Sequence, residues 1–210
     1  MRQAGIRRAG SRLTLAHHLS MQTTHLFEAW APNAAALSTG LLVARLIFGL
    51  SLTAHGVTKL GWFGGPGLNA VGEMFAQLGF RPGRALAAIA SLTEVAGGVL
   101  IALGLLGPVG PALMLSVMIV AAVSVHWSNG YFATANGIEV PALYATVAVV
   151  LAFTGPGLFS LDALLGLETL WSPMLSVAAL AAGTLAGIGN LIARAQRPMV
   201  ATEVPNANRH

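Results

Sequence analysis

The chain has 210 residues, of which 55% are hydrophobic and only 9% are charged, whereas a typical soluble domain is about 25% charged. This composition excludes an ordinary soluble domain and indicates an integral membrane protein. The absence of cysteine excludes disulfides and Cys-ligated zinc or iron–sulfur clusters in this chain, and the net charge of +4 is too scattered to indicate nucleic-acid binding.

The first segment, residues 1–36, is polar and basic, and no acidic residue precedes Glu28. No apolar core follows its arginines, so the segment is not a secretory signal. We expect a disordered or surface-lying arm that is drawn to anionic lipid by its charge. Met21 is an alternative start to Met1.

Five apolar stretches follow, and each approaches the roughly 20 residues that a membrane-spanning helix needs. The predicted fold is an all-α membrane protein, with a four-helix domain over residues 37–165, a fifth membrane helix within 166–194 and a disordered tail from 195 to 210. Between the first two spans, residues 66–80 show helical spacing of apolar side chains, which predicts an amphipathic segment at the membrane surface. The predicted spans cover residues 39–61, 85–106, 109–127, 140–153 and 173–193.

The fourth stretch is short, and residues 155–159 can complete its crossing. In the fifth, Gly183 and Gly187 form a GxxxG pattern, which indicates close helix contact. This contact is either with another helix of the same chain or with a second copy in a homo-oligomer.

Several ionisable residues lie inside these stretches, although a charge at mid-membrane costs roughly 3 kcal/mol or more. Because consecutive spans alternate in direction, five of them are predicted to meet near one membrane surface, beneath the segment 62–84. This predicted polar pocket contains His55, Lys59, Glu94, His126 and Glu139, with aromatic walls from Trp62, Phe63, Phe75, Trp127 and Tyr144. Arg45 and Asp162 fall toward the opposite surface and are interpreted as supporting or structural charges.

An apolar slot with hydrogen-bonding and proton-relaying groups suits a quinone. Haem ligation by His55 and His126 is a weaker alternative. No metal site is predicted. The same residues also fit a purely structural role, in which Lys59 and Glu139 reach water at the helix ends and an Arg45–Glu94 type of pair joins two helices.

The motif Arg45-x9-His55-Gly56-x2-Lys59-Leu60, followed by Glu94-x2-Gly97-Gly98, resembles the DoxX family. The resemblance extends to His126, Glu139 and Asp162, and covers about residues 39–165. It implies a four-helix bundle in the bacterial inner membrane and a loosely defined redox role. Some members resemble the quinone-reducing subunit of a thiosulfate oxidoreductase, and others are associated with oxidative-stress complexes.

Three functions remain open at this point. The first is a redox-associated subunit, in the class of quinone-linked oxidoreductase subunits, whose pocket binds a quinone-type ligand; its catalytic residues are unknown. The second is a non-enzymatic scaffold that anchors a soluble or membrane redox partner. The third is a small carrier of protons or solutes, although the chain has no evident inverted repeat.

Overall fold

The computed structural model describes residues 33–194. The predicted N-terminal arm (except its last four residues) and the predicted C-terminal tail lie outside the described residues. Within the described part the chain is helical throughout, with no strand. Its α-helices are α1 (Ala34–Lys59), α2 (Gly67–Gln77), α3 (Gly83–Leu103), α4 (Val109–Ala121), α5 (Glu139–Thr154), α6 (Leu161–Leu165) and α7 (Pro173–Ile192). A π-helical segment, Ala122–His126, and a 3-10 turn, Trp127–Asn129, extend α4 without a break.

Four helices of the described residues are long and apolar enough to cross a membrane: α1, α3, α7 and the extended α4. Large apolar side chains such as Ile47, Leu50 and Ile89 are exposed on the outside of the protein. Lipid solvates such a surface and water does not. The prediction of an all-α, multi-pass membrane protein is therefore confirmed.

Helix α5 has 16 residues and is about 24 Å long, which is less than the roughly 30 Å of a hydrocarbon core. It ends because Gly155 adopts a positive φ of 70°. The segment 155–159, which was expected to complete the fourth crossing, continues as bends rather than as helix. Among the described residues, four of the five predicted spans are therefore helices long enough to cross a membrane, and the fourth span, α5, is shorter.

Glycines bring α1 and α3 into close contact. A Cβ atom added at Gly98 would lie 2.5 Å from the Gly49 carbonyl oxygen, and one added at Gly56 would lie 2.7 Å from the Ser91 carbonyl oxygen. Only glycine permits such an approach between two helix backbones. The two helices are therefore held in a fixed register, which places the end of α1 beside the middle of α3.

The fifth span packs against α4 of the same chain through its glycine face. A Cβ at Gly183 would lie 2.4 Å from the Ala112 carbonyl oxygen, and one at Gly187 would lie 3.0 Å from that of Ser116. This contact uses the GxxxG pattern inside the protein. The alternative, a homo-oligomer through Gly183 and Gly187, stays a prediction.

Candidate functional site

A cavity of about 450 Å³ opens where α1 ends, α3 begins, the extended α4 ends and α5 begins. We call this region the cavity end. Helix α2 contributes Met74 and Phe75 to the cavity wall, and α7 contributes Asn190. Most of the lining is aliphatic or aromatic, and the volume is within the usual range for small-molecule sites, about 300–1,000 Å³.

One ion pair lies in this wall. The ammonium group of Lys59 donates to Glu94 Oε1 at 2.5 Å, between the last residue of α1 and the middle of α3. The glycine contacts between the two helices set this register. The Lys59 side chain is 28% exposed and that of Glu94 only 7%, so the carboxylate is the deeper partner.

The second carboxylate oxygen, Glu94 Oε2, is buried and has no hydrogen-bond partner among the described residues. Unpartnered charged oxygens are costly to bury, because they have lost their hydration without replacing it. Such an atom beside a cavity is able to accept a hydrogen bond from a ligand.

The extended end of α4 forms the opposite polar wall, with Ser124 and His126 lining the cavity. Both belong to the π-helical segment, a conformation that is rare and concentrated at functional sites. Ser124 Oγ is buried without a partner among the described residues. His126 Nδ1 lies 2.8 Å from the Asn136 carbonyl oxygen, which fixes the orientation of the ring.

The structure brings four of the five predicted pocket residues to the cavity. His55, Lys59, Glu94 and His126 line it, with His55 on its exposed side. Glu139 does not line it: its carboxylate instead accepts a hydrogen bond from the Ala133 backbone N–H at 2.7 Å. Glu139 is the first residue of α5, so its side chain lies next to the preceding loop and bonds to that loop.

The predicted aromatic walls are partly wrong. Phe75 and Tyr144 line the cavity, as expected. Trp62, Phe63 and Trp127 do not line it and are exposed, Phe63 to 87%. These three side chains follow helix ends, where aromatic residues of membrane proteins commonly meet the lipid headgroups.

Arg45 and Asp162 form a separate polar network at the other end of the bundle. The Arg45 guanidinium donates to the carbonyl oxygens of Phe159, at 2.7 Å, and of Pro156. Asp162 is fully buried and accepts from the backbone N–H groups of Leu106 and Gly107. Its third donor is the Trp171 indole, at 2.8 Å from Oδ2.

This network joins the loop between α3 and α4 to the segment between α5 and α7. Arg45 precedes Lys59 by 14 residues in α1, which is about 21 Å along a helix. Arg45 therefore lies far from the ion pair. Glu94 pairs with Lys59, so an Arg45–Glu94 pair is not formed.

Sequence reasoning missed Ser124 and Asn190. Both are uncharged, and single polar residues of this kind are common in membrane helices as packing residues. The only available signal for Ser124 is its position two residues before His126 in an otherwise apolar stretch. Among the described residues, no group of three or more His, Cys, Asp or Glu side chains is placed to hold a metal ion.

Comparison with known proteins gives one match. Residues 40–127 match the sequence model of the DoxX family. The match includes Arg45, Lys59, Glu94 and His126 and ends before the loop that leads to α5. No curated protein and no solved structure matches the chain.

Proposed function

Through residues 40–127 this chain belongs to the DoxX family, and we propose that it is a redox-associated membrane subunit whose cavity binds a quinone-type ligand. The cavity itself carries the proposal. It lies in the membrane domain, it is largely apolar, and its ionisable lining residues come from α1, α3 and the extended end of α4, with Tyr144 from α5. A lipophilic ring with two oxygens needs these features.

The polar residues have distinct roles in this proposal. Lys59 and His55, near the end of α1, would donate hydrogen bonds to a ring oxygen at the open side of the cavity. Glu94 and His126 are groups that can exchange protons with the ligand, since a carboxylate and an imidazole are the common relays in proteins. A partner oxidoreductase, soluble or in the membrane, supplies or removes the electrons.

Two measurements on the full-length protein in detergent test this function. Lipid extracted from the purified protein should contain quinone, and titration with a short-chain benzoquinone should give saturable binding by calorimetry. If the extract contains no quinone and the titration shows no binding, the proposal is wrong. A scaffold without a ligand is then the better interpretation.

A matched pair of variants locates the binding. Ala90 of α3 lines the cavity, whereas Ala96 of the same helix is exposed and does not line it. We expect Ala90→Phe to fill the cavity and weaken binding at least tenfold, and Ala96→Phe to leave binding unchanged. Equal binding by the two variants would place the ligand elsewhere.

A further inference from the structure

The polar atoms that the cavity leaves unpartnered distinguish between the two redox forms of a quinone-type ligand. A quinone presents two carbonyl oxygens, which only accept hydrogen bonds. Its reduced form presents two hydroxyl groups, which donate as well. The chemistry of the wall therefore indicates which form fits, and this inference rests on the proposed function.

Glu94 Oε2 is a buried acceptor that would be stabilised by a hydrogen-bond donor. Its partner oxygen accepts from the Lys59 ammonium at 2.5 Å, and a carboxylate in such an ion pair can only accept. A ring carbonyl at this position would meet an anionic oxygen. A ring hydroxyl would instead complete the hydrogen bonding of a buried charged group.

His126 also presents an acceptor. The Asn136 carbonyl oxygen can only accept, so the proton of the neutral imidazole lies on Nδ1. Nε2 then carries a lone pair, and it has no hydrogen-bond partner among the residues that the structure describes. A second ring hydroxyl could donate to it.

The remaining polar groups do not reverse this preference. Lys59 keeps N–H groups beyond the one given to Glu94, and these can donate to a ring oxygen of either form, because carbonyl and hydroxyl oxygens both accept. Other polar lining side chains can each donate or accept, so they serve either form: Ser124, Tyr144, Asn190 and His55.

From this arrangement we infer that the cavity selects the reduced, hydroxyl-bearing form of its ring ligand, with Glu94 Oε2 and His126 Nε2 as the specificity-determining acceptors. Within the proposed function, the chain is then a quinol-binding subunit.

Three probes of similar shape test the preference in the full-length protein under anaerobic conditions: a short-chain benzoquinone, its quinol and the di-O-methyl ether of that quinol. Hydrogen bonds to charged groups are strong enough that we expect the quinol to bind at least tenfold more tightly than the ether and the quinone. A quinone that binds as tightly as the quinol, or an ether that does, overturns the preference while leaving the proposed function intact. If none of the three binds, the proposed function itself has failed.

Variants assign the preference to named atoms. Glu94→Gln replaces an acceptor-only group by an amide that also donates, so the ratio of quinol to quinone affinity should fall toward one. Glu139→Gln is the matched control, because that carboxylate lies outside the cavity, and it should keep the wild-type ratio. Ser124→Ala should weaken both forms without changing the ratio. A Glu94→Gln protein with the wild-type ratio would remove Glu94 from the proposed role.

Discussion

The two ends of this helix bundle both bury charged side chains, but the buried carboxylates differ in how completely they are hydrogen-bonded. At the far end, every oxygen of Asp162 is paired: Oδ1 with Leu106 N–H, and Oδ2 with Gly107 N–H and the Trp171 indole. At the cavity end, Glu94 has one oxygen paired, and the other has no partner among residues 33–194. The satisfied carboxylate joins loops, and the unsatisfied one borders a space of about 450 Å³.

This difference separates stability from binding. A buried charge that meets all its partners inside the protein contributes to the fold and leaves nothing for a ligand. A buried charge with an unused hydrogen-bond acceptor stabilises the fold less. Its missing hydrogen bond forms only when a ligand binds. The cavity end should therefore control affinity, and the Arg45–Asp162 network should control stability.

The largest effect is expected from Asp162→Ala. The substitution leaves three donors without an acceptor at a fully buried position, so we expect a loss of about 4 kcal/mol in unfolding free energy. Thermal or denaturant unfolding in detergent measures it. A loss below about 1 kcal/mol would show that this network does not hold the far end together.

Gly183→Leu should lower the free energy of unfolding by less than Asp162→Ala does. Gly183 lies between the two ends of the bundle. Its new side chain would overlap the backbone of α4, where even a Cβ would be 2.4 Å from the Ala112 carbonyl oxygen. Overpacking of this kind costs about 2 kcal/mol. The expected result is lower stability with unchanged oligomeric state. A change in oligomeric state, measured by light scattering, with unchanged stability would instead assign Gly183 to a contact between copies.

Much of the fold followed from the sequence because membrane helices are specified by length and apolarity, which are visible in one chain. Alternating helix direction also placed His55, Lys59, Glu94 and His126 at one end correctly. It could not give the rotation of each helix. Glu139 has the right depth, but it points to the preceding loop, where Ala133 N–H takes its carboxylate.

Pairing and local helix geometry were also beyond the sequence. Glu94 pairs with Lys59 because Gly49, Gly56 and Gly98 set the register of α1 against α3, and the ExxGG pattern alone does not show which helix each glycine meets. Ser124 became visible only through the π-helical segment and the cavity beside it. No charge or motif distinguishes it from a packing serine.

Helix α7 lies outside the family match, yet it contributes to the cavity. The family resemblance covers the first four spans, and the family match ends at residue 127. Yet α7 packs on α4 through Gly183 and Gly187 and brings Asn190 to the cavity wall. The last helix is therefore part of the site as well as of the bundle.

The smallest stability effect is expected from Glu94→Gln, even though the affected group is buried and charged. Glutamine has nearly the same shape and can still accept the Lys59 hydrogen bond, and the Lys59 ammonium lies at a helix end where it can reach water. The change also removes a charged oxygen that has no partner in the described part of the chain. We therefore expect unfolding free energy to change by no more than about 1 kcal/mol, in detergent and at neutral pH.

Asp162→Asn, the same chemical change at the other end, sharpens the comparison. An amide cannot accept from three donors as a carboxylate does, and its own N–H groups would face N–H groups of the loop. It should therefore cost more than Glu94→Gln by at least about 2 kcal/mol. If the two variants lose the same stability, the Glu94 carboxylate, with its unpartnered oxygen, is as important to the fold as the fully hydrogen-bonded carboxylate of Asp162. The division of the bundle into a stabilising end and a binding end would then be wrong.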